Sequence, residues 1–283
     1  MDLQGLVGLI AGLVLVFLGI TNNLASPGSI NGFIDYPSMM ITFGGTIAAM
    51  LIAFPRSSFK KIPAQIRITL RKSPYDPKKY IAQIVDFAKE ARRKGLLSLE
   101  EKANQLNDNF MKQSLLLIVD AINPDKVKEM LETELDNLDE RHAAGWQFYE
   151  KSSTFAPAFG MIGTLIGLIN MLGGGLNADN ASGLNKLVNG MAVALITTFY
   201  GSMLANLVLV PIGNKLHMLH DQEMVCKEIV VQGVLAIQAG ENPTQIEESL
   251  NSYLNEKQRG GGWAPSNQTP KGVEPPRNAN LEK

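Results

Sequence analysis

Two stretches decide how this chain folds: Phe155–Gly175, FAPAFGMIGTLIGLINMLGGG, and Leu187–Gly213, LVNGMAVALITTFYGSMLANLVLVPIG. Neither contains a charged residue, and at helical rise each is long enough to cross a hydrocarbon layer. Their composition is unusual for lipid-facing helices, which favour Leu and Phe. Gly160, Gly163, Thr164 and Gly167 are spaced by three and four residues, so they share one helical face. Ala194, Thr198, Ser202 and Asn206 recur every four residues and do the same in the second stretch. Such smooth, weakly polar faces predict close packing of the two helices on each other or on a third helix.

Working outward, two more segments are nearly free of charge, about Leu3–Asn22 and Pro37–Phe54. The chain is 283 residues long with a net charge of −1, which gives no sign of nucleic-acid binding. Its Lys and Arg are strongly segregated. Asn23–Tyr36 has none and Leu176–Lys186 has one, whereas Pro55–Thr154 has eighteen. The positive-inside rule therefore puts the middle region and both termini in the cytoplasm. The N-terminus lacks a basic n-region, so the first apolar segment is expected to be a retained helix and not a cleaved signal. No strand pattern of any length is present. The expected fold is an all-α integral membrane protein with four transmembrane helices, a helical cytoplasmic domain between spans 2 and 3, and a cytoplasmic C-terminal helix. The expected divisions are 1–54 (spans 1 and 2), 55–154 (cytoplasmic helices), 155–213 (spans 3 and 4), 214–258 (C-terminal helices) and 259–283 (a Pro/Gly/Asn-rich tail, expected to be disordered).

Local signals set the helix ends. Asp76 before Pro77 reads as an N-cap, and Gly95 as the stop. Ser98 with Glu101 has the form of a capping box. Asn109–Ala121 is expected to form a third cytoplasmic helix. Asn123-Pro124 starts a long helix that is expected to run on into the third span. Lys215–Ala239 reads as an amphipathic helix ending at Gly240, and Asn242-Pro243 with Gln245 opens a last short one. Gly5, Gly12 and Gly19 fall one heptad apart in the first segment, which suits close helix packing.

The side chains exclude most chemistry. There is no phosphate loop and no nucleophile elbow, so no enzyme is expected. His217 and His220 share a helix face, but no Cys or carboxylate completes a metal set, and none is expected. The single cysteine, Cys226, is given no role. Ion conduction usually needs a carboxylate within the membrane, and all four apolar segments lack one. Asp35 lies at the edge of the second, where it could attract cations or simply be solvated. The hydroxyls of Thr164, Thr197 and Thr198 can ligate a hard cation but cannot offset its charge; alternatively they bond to carbonyls of their own helix. If ions pass, another subunit must bring the carboxylate to the small-residue faces. Pro157 and Pro211 bracket the helix pair, and their expected matched depth suggests a hinge between membrane and cytoplasm.

The runs APAFGMIGTLIGL, MAVALITTFYGSMLANLVLVPI, AKEARRKGLLSLEE and GVLAIQAGENP resemble the A subunit of flagellar motor stators, the MotA/PomA family. The likeness extends from Met1 to about Leu254. It implies a bacterial inner-membrane complex of several A subunits, a pentamer, around B subunits of the MotB/PomB type. Each B subunit would bring a membrane aspartate and a peptidoglycan-binding domain, and ion flow would turn the A ring against the rotor protein FliG. By the same resemblance Arg92 and Glu100 contact the rotor, with Arg93 beside them, and Pro157 and Pro211 match the family's prolines. Thr164 and Thr198, with Asp35, match the sodium-type pattern, so Na⁺ is favoured over H⁺ as the transported ion and no cofactor is implied. An energiser of the ExbB/TolQ type is the nearest alternative, although those chains resemble a three-span plan. A non-transporting membrane scaffold is the alternative of another class.

Overall fold

A computed structural model describes residues 3–21, 31–175 and 181–254. The expected disordered tail and parts of both short loops lie outside them. Every element among the described residues is a helix, without a strand. In chain order α1 is Leu3–Thr21 and α2 is Tyr36–Ala53, the latter π-helical over Met40–Gly44. α3 is Arg56–Thr69, α4 Pro77–Lys94, α5 Leu99–Asn104 and α6 Asn109–Val119. α7 is the 52-residue helix Pro124–Gly175. α8 joins Ala181–Met203, a π-helical stretch Leu204–Leu209 and Val210–Gln238. α9 is Pro243–Asn251. α2, α7 and α8 each contain a window long and apolar enough to cross a membrane, and Val7–Thr21 is a shorter apolar helix.

The helix ends follow the local chemistry. Asp76 and Asn242 cap α4 and α9 by accepting the N–H of Lys78 and Thr244, each ahead of a proline in the first turn. Gly95 (φ 83°) and Gly240 (φ 74°) follow α4 and α8 with a positive φ, which glycine adopts without steric cost. Two expectations need correcting. Ser98 stands at the N-cap position of α5 but its side chain does not cap it: its backbone is helical (φ −67°, ψ −15°), inside a 3₁₀ turn, and its hydroxyl donates back to the Gly95 carbonyl. The helix expected from Asn109 to Ala121 stops at Val119, and Ala121 has φ 55°. Asp108, one residue earlier, caps it through the N–H groups of Phe110 and Met111.

α7 and α8 run side by side and form the backbone of the molecule. At one end, their charged portions enter a core with α4, α5, α6 and α9, centred on Ile84, Leu99, Leu115, Val127, Ile229 and Ile246. At the other end the apolar halves of α7 and α8 pack on each other and on α2. A small aromatic cluster, Phe148 and Tyr149 with Met50, Phe54 and Phe59, joins the two regions. α1 touches the rest mainly where Gly12 meets Leu207; among the described residues Gly5, Gly8 and Gly19 have nothing within reach of a Cβ. Of the three glycines one heptad apart, only Gly12 takes up its expected packing role among the described residues.

Pro157 does not break α7, although it removes the hydrogen bond that the Ser153 carbonyl would accept. The three hydroxyls before it bond back within the helix, Ser152, Ser153 and Thr154 donating to the carbonyls of Phe148, Glu150 and Lys151 and not to that of Ser153. Pro211 comes two residues after Leu209, the end of the π-helical stretch of α8, which absorbs the missing bond by widening the turn. The two prolines are not at one depth. Pro157 lies beside Gly201, whereas Gly213, two residues after Pro211, lies beside Tyr149. That offset is roughly two to three helical turns.

Candidate functional site: the threonine flank of the paired helices

The small residues identified in the sequence divide into two sets with different jobs. The glycines bring backbones together. A Cβ on Gly160 would lie 3.0 Å from the Thr197 carbonyl oxygen, and one on Gly167 would lie 2.5 Å from the Gly190 carbonyl oxygen and 2.7 Å from the Ala194 nitrogen. A Cβ on Gly190 would meet Met171 and the Gly167 carbonyl in return. The threonines border this seam. The hydroxyls of Thr164 on α7 and Thr198 on α8 are 2.5 Å apart, and both lie within hydrogen-bond distance, 3.1 Å, of the Ala194 carbonyl. Thr164 also donates to Gly160, and Thr197 to Val193, so the alternative of bonding within one helix is realised alongside the pairing. Thr197 is fully buried, whereas Thr198, Ser202 and Asn206 form an exposed line along α8. The result is a polar flank without charge, closed on its glycine side and open on its hydroxyl side.

Two further residues define this region, and sequence reasoning did not single them out. Thr42, buried in the π-helical part of α2, lies with its hydroxyl 3.3 Å from the Thr197 carbonyl. Its neighbour Thr46 donates to the Thr42 carbonyl at 2.6 Å. Tyr200 donates its hydroxyl to the Phe33 carbonyl and accepts the Asp35 N–H at 3.4 Å. The available signal was a hydroxyl-bearing residue inside an apolar helix, but partners more than a hundred residues away cannot be read from periodicity. Asp35 itself acts as an N-cap. Its carboxylate accepts both the N–H and the hydroxyl of Ser38, and only its backbone reaches Tyr200.

Far from this flank, α4 and α5 present the other expected residues. Arg92, Arg93 and Glu100 are exposed around the turn Gly95–Ser98. The turn is fixed by Glu90, whose carboxylate takes Lys94 at 3.1 Å and also Lys102, and these two ammonium groups hold it below the usual carboxylate range. Leu97 projects from the tip with 75% of its surface exposed. The structure therefore keeps the threonine set and the charged set at separate places. His142 and His220, 78 residues apart in sequence, meet with their Nδ1 atoms 3.1 Å apart, and Asp139 takes the other His220 nitrogen at 3.0 Å. Burial lowers the pKa of His142. Among the described residues no group of His, Cys, Asp and Glu has metal-binding geometry.

The MotA/TolQ/ExbB proton channel family matches this chain over residues 102–229. The chain is 39% identical to the chemotaxis protein PomA of Vibrio alginolyticus, over 92% of its own length and 98% of that protein. It belongs to the MotA/PomA family of flagellar stator subunits. This stator subunit is also 37% identical to the motility protein A of Borreliella burgdorferi, across 88% of its length and 91% of that relative. Its fold matches a chain in the flagellar MotAB stator complex from Bacillus subtilis with a TM-score of 0.78 and 30% identity, covering 90% of this chain and 96% of that one. These relatives are motility proteins and ion-channel components, not enzymes.

Proposed function

We propose that this stator subunit conducts sodium ions along the Thr164–Thr198 flank, against a membrane helix of a MotB/PomB-type partner that brings the aspartate. The observation that carries the proposal is the Thr164–Thr198 pair itself: two hydroxyls from facing helices, on an open flank, in segments with no carboxylate of their own. Sodium needs several oxygen ligands, whereas a proton needs only the carboxylate. The hydroxyls of Thr164 and Thr198 and the Ala194 carbonyl near both supply oxygens at one level.

In this proposal α1, α2 and the apolar parts of α7 and α8 make four spans of the bacterial inner membrane. Residues 55–154 and 214–258 stand in the cytoplasm with both termini. Five copies form a ring around the B subunits, the B subunits are anchored to peptidoglycan, and the ring turns. Arg92, Arg93 and Glu100 then work against FliG on the rotor. Pro157 and Pro211, where hydroxyls and a π-helical stretch already relax the helix ladders, transmit the ring's motion to the cytoplasmic helices. Asp35, which caps the outer end of α2, attracts cations to the mouth of the path from that position.

The ion is tested by tethered-cell rotation at fixed proton-motive force. Rotation is expected to stop on removal of Na⁺ and to return with its addition; undiminished speed without Na⁺ would sink the sodium proposal. For the site, Thr198→Val keeps the side-chain shape and deletes one oxygen. Its rotation rate is expected to fall at least about tenfold, equivalent to roughly 1.4 kcal/mol, at unchanged membrane level, and Thr198→Ser is expected to recover most of it. A Val variant that rotates normally would leave Thr198 as a helix-bonding residue only.

A further inference from the structure

α3 is pinned to α7 near its middle, where the Tyr149 hydroxyl donates to Gln65 at 3.2 Å and Gly145 gives room for the same side chain. Around this contact a cavity of about 760 Å³ lies between α3, α7 and α8. One wall is apolar: Ile68, Trp146, Leu216 and Leu219. The rim is cationic, with Lys61, Arg71, Lys72 and Arg141. None of these four has an ion-pair partner among the described residues. The one carboxylate on the wall, Glu223, is already engaged by Lys227 at 3.6 Å and by the Tyr75 hydroxyl. Four uncompensated cations around one committed carboxylate make a site for an anion, and the apolar wall asks for an anion with a greasy neighbour. Position narrows the choice. α3 begins immediately after Pro55, at the end of the apolar helix α2, and Leu216 lies just past the charge-free segment that ends at Gly213.

We propose that this cavity binds the phosphate headgroup of an anionic phospholipid, with the phosphate among Arg71, Lys72 and Arg141 and the glycerol and first acyl carbons on the Trp146 wall. Only the leaflet, the inner one, depends on the topology proposed above; binding itself does not, nor does it depend on ion conduction. Bound lipid would brace α3 against the two long helices at the base of the membrane segment.

Trp146 reports on the cavity directly. The chain has two tryptophans, and the second, Trp263, can be removed as Trp263→Phe. The full chain, co-purified with its B subunit in detergent, is titrated with brominated phosphatidylglycerol or brominated phosphatidylcholine, and Trp146→Phe supplies the background. Phosphatidylglycerol is expected to reach half-quenching at about fivefold lower mole fraction or less, with the preference falling about fivefold for each charge lost in Arg71→Gln and Arg141→Gln. The charge-keeping Arg71→Lys and Arg141→Lys, and Arg67→Gln outside the cavity, are expected to retain the preference. Equal quenching by the two lipids would overturn the proposal, as would an unchanged preference in the Gln variants. Full recovery of fluorescence with millimolar inorganic phosphate would overturn the lipid as ligand in favour of soluble phosphate.

Discussion

Gly167→Val is expected to abolish rotation and to remove most of the assembled protein from the membrane. The first atom of the new side chain would sit 2.5 Å from the Gly190 carbonyl oxygen and 2.7 Å from the Ala194 nitrogen. Both obstacles are backbone, so no rotamer change relieves them and α7 and α8 must move apart. Overpacking of this kind costs about 1–3 kcal/mol, and more where the wall cannot give. Separation would also break the Thr164–Thr198 pair, which lies on the same seam. Gly173→Val is the control, since a Cβ there meets nothing within 4 Å among the described residues. Membrane fractions and thermal unfolding in detergent measure the difference. Equal levels of the two variants, with normal rotation in both, would mean that the α7–α8 seam is looser than described.

The second large effect is expected at the opposite end. Arg92→Glu and Glu100→Lys are each expected to eliminate most of the torque while membrane level and thermal stability stay at the parent's values. Both side chains are exposed, and neither has an ion-pair partner among the described residues, so the fold has little stake in their sign. The turn that carries them is held by Glu90 with Lys94 and Lys102, which both changes leave in place. A partner surface of complementary charge, by contrast, loses both attraction and orientation when a sign is reversed. Torque read from tethered cells, beside immunoblots of the membrane fraction, separates the two consequences. Normal torque in both variants would remove these residues from the rotor contact; loss of protein in both would make them structural.

Much of the architecture was legible because it rests on local chemistry. Charge-free segments mark the apolar halves of α7 and α8 regardless of what they touch. Asp76, Asn242, Gly95 and Gly240 act through backbone groups a few residues away, so their signals survive any tertiary context. Ser98 shows the limit: it has the composition of a capping box, but the tight connection after Gly95 turns its backbone helical before α5 begins. The candidate site was legible only in kind. Spacing put the glycines and Thr164 on one helix face, yet it could not say that the glycines close the seam while the hydroxyls stay at its open edge.

The sequence by itself determined the helices, the segregation of charge, the absence of a carboxylate in the apolar segments, and the family. The tertiary structure decided which faces meet. It joined Thr42 to Thr197, Tyr200 to the loop before α2, and His142 to His220; it used the Asp35 carboxylate as a cap and set the two prolines at different depths. The division has one physical cause. Helix-forming and capping forces act over one or two turns and are written in neighbouring residues. Packing acts between surfaces that the sequence lists far apart, and close backbone approach, set to a few tenths of an ångström, selects among them.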